Sequence, residues 1–98
     1  MKKNDLNLSE MNRLEAMLKR EGLDYIREEM EAGDQIIVYK DGKRWWDAIL
    51  TIYSYGGRQG LLEVMGKPVV EERKDGDRVA GWLTAEEVMK RLGNGGKA

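Results

Sequence analysis

Cysteine and histidine are both absent from this chain, and with them the most nucleophilic side chain and the commonest general base. The missing thiols exclude disulfides, thiolate zinc sites and thiol catalysis, and they fit a reducing cytoplasm. What remains for chemistry is Thr51, Ser54, lysines and carboxylates. A Ser-Lys or paired-carboxylate mechanism needs a tertiary proximity that no spacing here encodes, and in a chain that is 36% charged most such side chains form solvated surface. The expectation is a protein that is not an enzyme. An excess of either charge is missing too, since seventeen basic residues oppose eighteen acidic ones. That balance argues against a nucleic-acid binder, which needs a basic footprint, and equally against an acidic mimic of DNA. No apolar run approaches the roughly 20 residues of a membrane span, and the opening MKKNDLNLSE lacks the apolar segment of a secretion signal. The reading is a soluble, cytoplasmic protein with no membrane partner. The segment KDGDR (74–78) is too short for a calcium loop and lacks its terminal glutamate, so it reads as a hairpin turn, and neither metal nor cofactor is expected.

Ninety-eight residues at 41% hydrophobic suit one domain over 1–98 with a thin core, ordered from about residue 9 to 93 and mobile at its ends. Ser9 as N-cap and the spacing of Met11, Leu14 and Leu18 predict a helix over 10–21, closed by Gly22 and Leu23 in a Schellman motif. Residues 24–31 read as a strand, with Ile26 and Met30 on one face, or as a further turn and a half of helix; the strand is the expectation. Gly33-Asp34 should turn the chain into a strand at 35–40, and Asp41-Gly42 is a type I′ hairpin signal. A long strand over 44–53 then places Trp46, Ala48, Leu50 and Ile52 on one face and Trp45, Ile49 and Tyr53 on the other, as a central strand whose second face is at least partly covered by a loop or a partner. Leu61–Met65 is a short strand that Pro68 ends, RKDGDR (73–78) a polar turn, and Val79–Leu83 the last strand. Thr84 and Glu87 have capping-box spacing, with Leu83 and Val88 as a hydrophobic staple, so a final helix runs from Thr84 to Gly93 and NGGKA (94–98) frays. The fold class is α+β: one mostly antiparallel sheet of four or five strands with the N- and C-terminal helices packed on one face.

Chemistry concentrates in Tyr53–Gly66, YSYGGRQGLLEVMG, where a strand runs into a glycine-rich turn. Consecutive amides at Gly56 and Gly57 can form an anion nest, and Arg58 offers a planar fork to phosphate or carboxylate. The plainer reading is a wide turn with a bulge. Neither a Walker motif nor the dinucleotide fingerprint is matched. Tyr53, Tyr55, Trp45 and Trp46 lie close in sequence to this loop and suit stacking or anchoring in a partner's pocket. Tryptophans in a small domain first of all fill its core, but at most one of Trp45 and Trp46 can face inward on a regular strand. The candidate binding residues are Trp45, Tyr53, Ser54, Tyr55, Gly56, Gly57, Arg58, Gln59 and Glu63, with no catalytic or metal-ligating set.

Two stretches, SYGGRQGLLEVMG (54–66) and DRVAGWLTAEEVMKRL (77–92), together resemble a group of small uncharacterised proteins encoded by phages and prophages of Firmicutes. Ser54, Tyr55, Gly56, Gln59, Gly60, Leu61, Leu62 and Glu63 carry the likeness most clearly. The resemblance implies a genomic setting and no established activity. Small accessory phage proteins commonly bind a host protein, a phage protein or a small molecule, and some block bacterial defence. The resulting expectation is a non-enzymatic accessory binding protein, an inhibitor of a host protein or defence system in its most concrete form. The alternative is a protein that binds or sequesters a nucleotide or other small anion through the SYGGRQG loop. Self-association through a strand edge or a two-sided sheet stays open.

Overall fold

A computed structural model describes residues 1–71 and 78–93. The turn expected at 73–78, apart from Arg78, and the tail 94–98 fall outside them. After a 3₁₀ turn at Lys3–Asp5 the elements are α1 (Ser9–Arg20), β1 (Asp24–Met30), β2 (Gly33–Lys40), β3 (Lys43–Thr51), β4 (Leu62–Met65), β5 (Val79–Leu83) and α2 (Ala85–Gly93). The five strands form one antiparallel sheet in the order β1-β2-β3-β4-β5. The fold is therefore α+β, as the alternation of apolar residues predicts.

Local chemistry closes the elements where expected. Gly22 takes a left-handed φ of 69°, and Leu23 N–H reaches the Leu18 carbonyl at 3.0 Å, the long bond of a Schellman motif. Asp41 and Gly42 have φ of 53° and 77°, the two positive values a type I′ turn requires. Thr84 and Glu87 cap α2 reciprocally, through 3.1 and 3.2 Å bonds between each side chain and the other's amide. At α1 the cap differs from expectation. Ser9 is already helical, and the Asn7 side chain holds the entry by accepting from Ser9 N–H at 3.0 Å. The β1–β2 turn also shifts: Met30 pairs with Gly33, so the turn is Glu31-Ala32 and Gly33 opens β2.

Met11, Leu14 and Leu18 of α1 and Val88 of α2 share one buried cluster with Ile36, Val38, Trp46, Ala48, Leu50, Leu62, Val64 and Leu83 of the sheet. Ala85 of α2, with Val69 and Val70 in a turn whose amides bond the Gly66 carbonyl, completes it. On β1 the side toward α1 is polar instead. Arg27 donates to Asp34 (2.8 and 3.0 Å), Glu15 (3.1 Å) and Asn12 (2.8 Å), while Tyr25 donates to Glu15 at 2.8 Å. Ile26 thus falls on the opposite sheet face and stays exposed. The regular alternation assumed for the two adjacent tryptophans also fails. Val38 pairs with Trp46 but Tyr39 with Arg44, so Trp45 is the extra residue of a bulge and packs against the core beside buried Trp46.

Candidate functional site

Thr51, the last residue of β3, builds the loop that follows. Its hydroxyl accepts from the amides of Tyr53 (3.1 Å) and Ser54 (2.9 Å). The Ser54 hydroxyl returns the bond, accepting from Thr51 N–H at 2.8 Å and donating to the Thr51 carbonyl at 3.1 Å. This reciprocal lock leaves no room over Thr51: a Cβ on Gly57 would lie 1.8 Å from the Thr51 carbonyl oxygen. Only glycine fits there. Gly57–Gln59 form a 3₁₀ turn whose flanks, Gly56 and Gly60, are both left-handed.

Of the two amides proposed for an anion nest, the turn consumes that of Gly57. Gly57 N–H bonds the Ser54 carbonyl, Gln59 and Leu61 both bond Gly56, and Gly60 bonds Gly57. The Tyr55 amide goes to the Glu63 carboxylate on β4 at 2.8 Å. Glu63 therefore acts as an anchor that holds the loop over the sheet face opposite the helices. The loop covers this second face only in part: Glu63 lies beneath it, while Met65 of β4 and Tyr53, expected on the same face of β3, stay exposed and Trp45 packs against the core.

Opposite Glu63, β5 bulges: Leu62 pairs with Leu83 and Val64 with Ala80, so Gly81 and Trp82 share one position. Gly81 admits the loop, since a Cβ there would meet Tyr55 Cβ at 2.2 Å. Trp82 N–H donates to the Tyr55 carbonyl at 3.1 Å, and the two rings stack with centroids 5.3 Å apart and planes 15° from parallel. Trp82 does not fill the core, as a tryptophan in so small a chain is expected to do. It is 56% exposed, and its φ of 56° is a left-handed conformation that costs a bulky residue about 1–2 kcal/mol.

Ile52, Tyr53, Ser54, Tyr55, Gly56, Arg58, Gln59 and Trp82 line one open cleft of about 310 Å³. Tyr53 is 78% and Tyr55 54% exposed. Arg58 binds the Ile52 carbonyl through Nε at 3.1 Å, and among the described residues no carboxylate pairs with it. Of the residues singled out in the sequence, the structure brings Tyr53 through Gln59 together, with Glu63 beneath them. Trp45 stands apart. It lies near the other end of β3, about 20 Å from Thr51 at the rise of an extended strand, where Lys40 Nζ sits 4.8 Å from its ring centroid. Trp82 is the member that sequence reasoning missed, and adjacent Gly81 was its only signal.

A larger depression of about 490 Å³ lies beside the 3₁₀ turn, lined by Lys3, Asn4, Leu6, Leu8, Glu29, Gly33 and Asp34. Its charges are already matched, Lys3 with Glu29 and Asp34 with Arg27. Among the described residues no group of acidic side chains is placed to hold a metal ion, and no helix is long and apolar enough to cross a membrane. The aromatic cleft is therefore the surface where exposed rings and an unmatched cation coincide. No protein-family model, curated protein or solved structure matches this chain, so the assignment of this cleft rests on its geometry.

Proposed function

We propose that the chain is a non-enzymatic binding protein that recognises a host or phage protein through Tyr53, Tyr55, Arg58 and Trp82, and acts as an accessory or inhibitory factor in the cytoplasm of a bacterial host. The observation that carries this reading is the Tyr55–Trp82 stack, kept in solvent on a left-handed tryptophan. Exposed aromatics beside an arginine have the composition of binding hot spots. The phage setting comes from the sequence resemblance alone. Affinity capture from host lysate, followed by titration of the captured protein against Tyr55→Ala and Arg58→Ala, tests the reading. Both variants should lose binding by about tenfold or more while unfolding at nearly the parental temperature. A partner that both variants retain, or a collapse of stability in both, would mean that the loop is only architecture.

Sequestration of a small anion is the second reading, favoured by the unmatched Arg58 in the cleft and weakened by the internal bond of the Gly57 amide. Native mass spectrometry of the purified protein beside a denatured sample separates the two. A small mass released on denaturation supports the anion, and a bare chain counts against a tightly held one.

A further inference from the structure

A second depression of about 280 Å³, lined by Glu31, Ala32, Ile52 and Tyr53, adjoins the aromatic cleft and shares Ile52 and Tyr53 with it. Ile52 ties the two together. Its N–H donates to the Ala32 carbonyl at 3.0 Å, while its own carbonyl accepts from Arg58. The β1–β2 turn and the glycine-rich loop are thus fastened to one residue, and its neighbour Tyr53 lines both hollows. The hollows carry opposite charges: Arg58 lines one and Glu31 the other, and neither has an ion-pair partner among the described residues.

Resting on the binding reading above, we propose that this double cleft holds one extended peptide segment of a partner protein. The segment directs a carboxylate to Arg58 and a cationic side chain to Glu31, and an apolar side chain between them packs on Tyr53 and the Tyr55–Trp82 stack. Two adjoining hollows that share Ile52 and Tyr53 suit alternate side chains of an extended chain, which point the same way at about 7 Å intervals. The unmatched pair sets the direction of the segment, since reversing it places like charges together at both ends. A phosphate backbone fits poorly, because Glu31 repels what Arg58 attracts.

The test uses the full chain and blocked synthetic peptides that carry one aspartate and one lysine four residues apart with a leucine midway between them, in both charge orders. Binding is read from amide shifts in heteronuclear NMR spectra. One order should bind, with shifts at Glu31, Tyr53, Arg58 and Trp82, and Arg58→Glu should weaken it by about tenfold. The Arg58→Glu, Glu31→Arg double variant should prefer the reversed peptide. Equal binding of both orders, or of an uncharged isostere, that Trp82→Ala still abolishes would overturn the charge assignment and leave the aromatic surface standing. Peptide binding indifferent to Trp82→Ala would sink both. Binding of an oligothymidylate instead of any peptide, or a dimer of this chain that Trp82→Ala dissociates, would assign the cleft to a single strand or to a second copy.

Discussion

A tryptophan with more than half its surface in water recovers little of the burial energy that usually justifies so large a side chain, and at Trp82 the backbone strain must be met as well. The Tyr55 ring and the bond to its carbonyl offset part of that cost. Two truncations separate the contributions. Trp82→Ala and Trp82→Gly remove the same ring, so the lost stack cancels between them, and only glycine relieves a positive φ. The glycine variant should be more stable than the alanine variant by about 1 kcal/mol in denaturant titration, even though glycine is ordinarily the more costly residue in a strand. An alanine variant of equal or greater stability would show that position 82 is unstrained, and the strongest argument for selection on binding at this residue would go.

Between α1 and the sheet, the polar bridge on β1 replaces the apolar seam found elsewhere in the core. Arg27 is shared by Asp34 and Glu15, and Asp34 is only 9% exposed, so removing the cation strands a desolvated carboxylate. Arg27→Met should cost about 3 kcal/mol, and adding Asp34→Asn should restore part of it. The same bridge makes stability depend on pH at both ends. The bond from Tyr25, and after it Arg27, holds the Glu15 carboxyl below the usual carboxylate range, as bonds from the Thr84 backbone and side chain do for Glu87. A depressed folded value means stability that is present above the unfolded value, about 4.3 for glutamate, and lost as pH falls through the folded one. Burial, and then the Glu15 carboxylate, raises the Tyr25 hydroxyl. Its contribution is complete below about pH 10 and lost as pH rises through the folded value. The melting temperature should therefore fall at both extremes, and Tyr25→Phe should flatten both limbs. An unchanged acid limb in Tyr25→Phe would remove the Tyr25 bond as the cause of the Glu15 shift.

Across the whole molecule, what the sequence made legible was chemistry that acts within five residues: the Gly22-Leu23 stop, the Asp41-Gly42 turn and the Thr84–Glu87 box. Features that depend on the partner strand were hidden. The bulge that turns Trp45 inward, the face taken by Ile26 and the left-handed Trp82 each arise from the register between paired strands, which no local spacing encodes. For the same reason the loop from Tyr53 to Gln59 was recognisable as a unit and Trp82 was not. The longest-range link of this kind joins the two helices: Glu10 in the first turn of α1 accepts from the Ala85 amide at the start of α2, at 2.8 Å across 75 residues. The Glu10 carboxylate supplements the Thr84 cap and meets the positive end of the α2 dipole. The sheet does not need it, since each strand of the meander is held by its sequence neighbour. Glu10→Ala should therefore loosen α2 by about 1 kcal/mol, speeding its locally opening amides about fivefold in hydrogen exchange while β2 and β3 keep their protection. Equal acceleration in helix and sheet would mean that α2 opens only with global unfolding, and that the two ends of the chain form one cooperative unit.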